Sequence, residues 1–75
     1  MLAAVDPIAA LNRIAFLLER TNEPTYRVKA FRNAAGVLSE LEPAAVEAEA
    51  RTGALTNRKG IGAVTAGVIT EAIRG

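Results

Sequence analysis

Residues 58–64 read Arg-Lys-Gly-Ile-Gly-Ala-Val and are the most informative stretch of the chain. Two glycines around one apolar residue, directly before a helical segment, allow a tight turn that leaves the first amides of the helix without partners inside it. The helix dipole and the charges of Arg58 and Lys59 add positive potential at the same place. The stretch therefore predicts a helix N-terminus that accepts an anion such as a phosphate. A Gly-x-Gly pattern is also typical of a purely structural turn, and this alternative stays open.

Outward from this stretch, prolines and glycines divide the chain into helical segments. Apolar residues recur with helical spacing, and no run of alternating β-branched and polar residues indicates a strand. Asp6-Pro7 is a strong helix start, and Gly53 suits the left-handed position just after a helix. We therefore predict an all-α fold, a compact bundle of four to five short helical segments, at about residues 7–20, 26–41, 44–52, 55–59 and 63–73.

The predicted helices carry apolar faces that would meet in one core. Phe16 lies off the apolar face of the first helix, so it either widens the core contact or meets a partner outside this chain. Val64 and Val68 both fall on the predicted core face of the last helix.

Composition limits the classes of function. The chain has 75 residues, 51% of them hydrophobic and 23% charged, which predicts one small folded domain. It has no cysteine and no histidine, so disulfides, thiol catalysis and histidine-based acid–base chemistry are excluded. No stretch approaches the roughly 20 apolar residues of a membrane span, and we expect a cytoplasmic protein. With a net charge of +1, affinity for nucleic acid must come from local clusters of basic residues.

A second basic cluster begins the second predicted helix and contains Tyr26, Arg27, Lys29 and Arg32. Lys29 and Arg32 are three residues apart and share a helix face, where they can bind phosphates. The alternative is that these charges keep the surface soluble or pair with Glu23 and Glu40.

The order of these pieces resembles a known family. The run Tyr26-Arg27-Val28-Lys29-Ala30-Phe31-Arg32-Asn33-Ala34-Ala35, followed by Gly53-Ala54-Leu55-Thr56 and Gly60-Ile61-Gly62, is similar to the amino-terminal domain of the X family of DNA polymerases. In bacteria this domain also occurs joined to a polymerase-and-histidinol-phosphatase (PHP) domain. The resemblance spans Asp6 to Gly75. It implies a helical bundle whose helix-hairpin-helix motif grips the DNA backbone, at Arg27, Lys29, Arg32, Arg58, Lys59, Gly60, Ile61, Gly62, Ala63 and Val64.

Two departures from the family pattern bear on activity. The lysine that forms a Schiff base in the lyase reaction of the family corresponds here to Val68, and its supporting lysine corresponds to Val64; no lysine follows Lys59. We therefore predict that the domain has no lyase activity. The family usually has Leu-Pro before Gly-Ile-Gly where this chain has Arg58-Lys59. Losing that leucine removes an apolar anchor. The alternative that the hairpin is loosened and binds DNA weakly or not at all therefore stays open.

These observations leave two hypotheses of function. The first is a non-catalytic module that binds the DNA backbone without sequence preference, with salt-sensitive affinity. The second is a docking domain that has lost DNA binding and packs, through Phe16 and nearby apolar surface, against a downstream metal-dependent phosphoesterase or polymerase domain. We expect the chain to be the N-terminal part of such a protein. No cofactor is expected, and the binding of a monovalent cation at the hairpin is left open. The hypothesis that the chain is an enzyme in its own right is the weakest, because no acidic residues form a pair with the spacing of a catalytic or metal site.

Overall fold

A computed structural model describes residues 6–74 of the chain, and within this range the fold is all-α without strands. Helix α1 spans Pro7–Arg20, α2 spans Thr25–Ser39, α3 spans Pro43–Thr52 and α4 spans Ala63–Arg74, with a 3₁₀ turn at Ala54–Asn57 between α3 and α4. The all-α prediction is confirmed. None of the helices in this part of the chain is long and apolar enough to cross a membrane.

The helix ends follow from local chemistry. The Asp6 carboxylate accepts a hydrogen bond from the Ile8 amide at 3.1 Å and caps α1, and Gly53 takes the left-handed conformation after α3 with φ +80°. Helix α2 ends two residues earlier than predicted. The proline at position 43 disfavours helical geometry at Glu42, and the Leu41 amide bonds instead to the Leu38 carbonyl at 3.0 Å, which tightens and closes the last turn.

One hydrophobic core joins all the elements. Helix α1 packs mainly against α2, and α4 lies against α1 and α3. The 3₁₀ turn and the hairpin also reach the core, because Leu55 and Ile61 are almost fully buried. The core residues are Leu11, Ala34, Ala35, Leu38, Val46, Leu55, Ile61 and Ile69.

One sequence-based expectation about the core is wrong, and one of the two alternatives for Phe16 is excluded. Val64 is 70% exposed, because the neighbouring Thr65 occupies the inward position in the first turn of α4. Phe16 does not widen the core: it is 54% exposed and its ring lies under the Arg20 guanidinium, 5.7 Å from the ring centroid. Val68 is half-buried and packs against the core, as predicted.

Candidate nucleic-acid interface

The turn before α4 depends on its first glycine. Gly60 has φ +96°, and a Cβ at this position would lie 3.0 Å from the Val37 Cγ2 atom. A residue with a side chain would therefore meet backbone strain and a tight contact with the Val37 methyl group. Ile61 points into the core, and its amide donates to the Arg58 carbonyl at 3.2 Å. The turn is thus fixed by a glycine, a buried side chain and a backbone hydrogen bond.

The free amides at the start of α4 belong to the two residues that directly follow Gly62. The Gly62 amide donates to the Thr65 Oγ1 atom at 2.9 Å, so the expectation that this amide faces a ligand is corrected. Ala63 and Val64 are exposed, and their amides have no acceptor among residues 6–74. Two adjacent donors at the positive end of a helix are therefore available to an anion.

Arg58 is held by an acidic side chain from another element. Its Nε atom donates to Glu49 Oε1 at 2.6 Å and its Nη2 atom donates to Glu49 Oε2 at 2.5 Å, a two-bond match between guanidinium and carboxylate. These hydrogen bonds hold the pKa of Glu49 below its usual 4.5 and raise the pKa of Arg58. The predicted placement of Arg58 as a free cation beside the turn is therefore corrected.

The same ion pair bears on the expected loosening of the hairpin. The leucine of the family pattern is missing at this position, but Leu55 is 1% exposed and anchors the preceding 3₁₀ turn. The Arg58 side chain then ties the end of that turn to α3 through Glu49. The hairpin is thus attached to the bundle by an apolar contact and by an ion pair. Whether it binds DNA stays a prediction.

The basic cluster of α2 is partly neutralised. Arg27 pairs with Glu23 at 3.1 Å, as the alternative reading expected, and Arg32 pairs with Glu19 of α1 and not with Glu40. Lys29, like Lys59 at the hairpin, is exposed and has no acidic partner within the described range. Of the predicted site cations, these two lysines are therefore the ones whose charge no acidic side chain of the described residues balances.

A groove of about 340 Å³ joins the two predicted regions. Tyr26 and Arg27 line it from α2, and Val64 and Thr65 line it from the first turn of α4. Lys29 and Arg32 do not line this groove. Of the basic cluster on α2, the structure therefore brings only Tyr26 and Arg27 to the free amides. The rest of the lining is largely apolar and comes from Ile14, Leu18, Ala30 and Phe31.

Two residues of this region were missed in the sequence. Thr65 follows Gly62 by three residues, the spacing at which a side chain can reach back to the amide at a helix start, so this signal was readable. Glu49 lies nine positions before Arg58 on a different element, and no local pattern predicts that pairing. The predictions that concern a cofactor or a hairpin cation are unaffected and stay predictions.

Comparison with known proteins agrees with this architecture. No curated protein and no solved structure gives a match to the chain. A family model described as a helix-hairpin-helix domain matches residues 4–75. Domains of this kind generally bind DNA. Since the match covers nearly the whole sequence, the chain belongs to the helix-hairpin-helix domain family.

Proposed function

We propose that this domain binds the DNA backbone without sequence preference and without catalysing a reaction. The observation that carries the proposal is the pair of amides at the exposed residues Ala63 and Val64, which lack acceptors within the described residues and lie at the positive end of α4. Amides at a helix N-terminus bind phosphate oxygens and read no base, which accounts for the absence of sequence preference. The family match supports DNA as the source of the phosphate.

The distribution of charge supports weak binding. Arg58 and Arg32 are engaged by Glu49 and Glu19, which leaves Lys59 beside the hairpin and Lys29 on α2 as cations with unshared charge. Each phosphate neutralised contributes roughly 0.9 to the slope of log affinity against log salt. For two such cations we expect a slope of magnitude about 2 and a dissociation constant in the micromolar range or weaker.

A titration followed by amide chemical shifts tests the proposal. Isotope-labelled protein is mixed with short single-stranded, gapped and duplex DNA of unrelated sequences, at low and at moderate salt. The proposal expects the largest shifts at residues 62–65, similar shifts for unrelated sequences, and loss of the shifts as salt rises. A folded protein without shifts at residues 62–65 at low salt would count against it.

The absence of lyase chemistry is a further part of the proposal. No lysine follows Lys59, Val68 is half-buried against the core, and Val64 offers no amine. Borohydride trapping on DNA with an incised abasic site should therefore give no covalent adduct. An adduct would show a nucleophile elsewhere in the chain.

The resemblance to the X-family polymerase domain supports a wider context for this activity. We infer that the domain supplies DNA binding to a longer cytoplasmic protein, with a PHP phosphoesterase or a polymerase domain downstream. The coding frame beyond Gly75 tests this directly, because it either encodes such a domain or does not.

Exposed apolar side chains favour a second candidate function, docking against a downstream domain. Phe16 is 54% exposed and Leu17 is 46% exposed on the same helix. In the longer protein, docking predicts shift changes at these two residues relative to the isolated domain. It also predicts unchanged signals at residues 58–64 when DNA is added, which separates docking from DNA binding.

A further inference from the structure

Arg58 fixes the hairpin through both its backbone and its side chain. Its amide donates to the Leu55 carbonyl at 3.1 Å and closes the 3₁₀ turn, and its carbonyl accepts the Ile61 amide at 3.2 Å and closes the hairpin. Its guanidinium makes two hydrogen bonds to Glu49 of α3. The pairing of these two side chains therefore acts together with the buried Leu55 and Ile61 in fixing the first turn of α4 relative to α3.

The setting of the pair argues for a positional role. The Arg58 side chain is 37% exposed and that of Glu49 only 20% exposed, and both carboxylate oxygens are engaged. The carboxylate takes the Nε donor and one Nη2 donor of the guanidinium, so a DNA phosphate would meet a cation whose charge Glu49 already balances. By contrast, Glu47 on the same helix is 57% exposed and pairs with Arg51 one turn away, which leaves the hairpin untouched.

We propose that Glu49 is a positioning residue for DNA-backbone binding, holding the Ala63 and Val64 amides in their binding arrangement through Arg58. The inference rests on the proposed function. It has an unusual consequence for an acidic residue in a DNA-binding domain. Removing a negative charge normally strengthens binding to a polyanion, whereas removing Glu49 is expected to weaken it.

The experiment compares Glu49→Gln with Glu47→Gln by fluorescence anisotropy on one labelled DNA duplex at low salt. Both variants lose one negative charge from α3. General electrostatics therefore predicts that both bind DNA slightly more tightly than wild type, and to the same extent. The proposal predicts that Glu49→Gln binds about threefold or more weakly than Glu47→Gln, in line with coupling energies between contacting residues. The salt slope should stay at the wild-type value, because the number of phosphates contacted is unchanged.

An exchange of the two charges distinguishes position from direct contact. Glu49→Arg combined with Arg58→Glu restores the ion pair with its polarity reversed, and the proposal expects it to recover affinity relative to Arg58→Glu alone. If Arg58 contacted phosphate directly, the acid at position 58 would keep the double variant weak. The double variant also decides the matter if Glu49→Gln alone does not fold.

The outcomes separate the two claims. Wild-type protein that does not bind DNA overturns the proposed function. Wild-type protein that binds, together with a Glu49→Gln variant that binds as tightly as Glu47→Gln or more tightly, overturns only the role of Glu49 and indicates that the carboxylate competes with DNA for Arg58. Weaker binding by Glu49→Gln with recovery in the exchanged pair establishes the positioning role.

Discussion

The hairpin and the start of α2 are both basic, but their arginines have different surroundings. Arg58, whose side chain is 37% exposed, makes two hydrogen bonds to Glu49 of another element, whose side chain is 20% exposed. Arg27 bonds to Glu23 just before α2, and its side chain is 57% exposed. Exposed pairs are weak because water and salt screen the charges and both side chains lose freedom. The comparison teaches that a basic residue in the sequence is not by itself a free cation for DNA: its partner and its exposure decide its role.

The largest expected effect concerns the apolar anchor of the hairpin. Leu55 is 1% exposed and belongs to the core, so Leu55→Ala should lower the free energy of unfolding by about 2 to 5 kcal/mol. In a domain this small, that loss is a large fraction of the total stability. Thermal and urea unfolding measure the change. The matched change in the other region is Tyr26→Ala, where the ring is 72% exposed and the expected change is within about 0.5 kcal/mol. If the two variants lost the same unfolding free energy, Leu55 would not anchor the hairpin more firmly than Tyr26 anchors the start of α2.

The next effect concerns the turn glycine. Gly60→Ala places a side chain at φ +96° and 3.0 Å from Val37, and should destabilise the fold by about 1 to 3 kcal/mol. Gly67→Ala is the control: Gly67 is helical, exposed, and a Cβ there meets nothing within 4 Å. That variant should stabilise the fold by about 0.5 to 1 kcal/mol. Urea unfolding of the two variants gives changes of opposite sign if the turn is as described, and a stable Gly60→Ala would contradict it.

The Glu49–Arg58 pair should make stability depend on pH. Hydrogen bonds from Arg58 lower the folded-state pKa of Glu49 from 4.5, so the stabilisation is complete above that pH and is lost as pH falls through the lowered pKa. The difference in unfolding free energy between wild type and Glu49→Gln should therefore be constant near neutral pH and shrink in acid. Urea unfolding across this pH range measures it. A difference that does not change with pH would show that the carboxylate is not preferentially charged in the folded protein.

The smallest effect is expected at the exposed pair. Arg27→Ala removes a single hydrogen bond from a largely exposed arginine to Glu23, and the free energy of unfolding should change by less than about 1 kcal/mol. High salt should reduce the difference from wild type further, because it screens the pair. Thermal unfolding at two salt concentrations measures it. A loss comparable to that of Gly60→Ala would mean that Arg27 has a structural role like that of Arg58.

Much of the fold was readable because its signals are local. The Asp6-Pro7 cap fixes the start of α1, and Gly53 and Gly60 take the positive φ that only glycine adopts at low cost. The inward position of Thr65 was readable as well, because Thr65 follows Gly62 by three residues and its hydroxyl accepts a hydrogen bond from that amide. The features that could not be read depend on which elements meet, as in the close approach of Gly60 to Val37 of α2.

The candidate site was predictable to a similar extent. The turn and the helix start that offer free amides follow from residues 60–64. Whether Arg58 is free depends on α3 passing beside the hairpin, and Arg32 likewise meets Glu19 only because α1 packs on α2. Pairings between elements require the tertiary structure, so the sequence alone overestimates the number of cations available to DNA.

The most direct test of the account removes one of the two free amides. Ala63 is the first residue of α4, where proline is tolerated in a helix but has no N–H, whereas Ala63→Ser changes the side chain and keeps the amide. With both variants folded, as circular dichroism can verify, Ala63→Pro should bind a short duplex several-fold more weakly, consistent with a lost hydrogen bond to a charged group. Ala63→Ser should bind like wild type. Equal affinity of the proline variant and wild type would contradict the claim that these amides hold the phosphate.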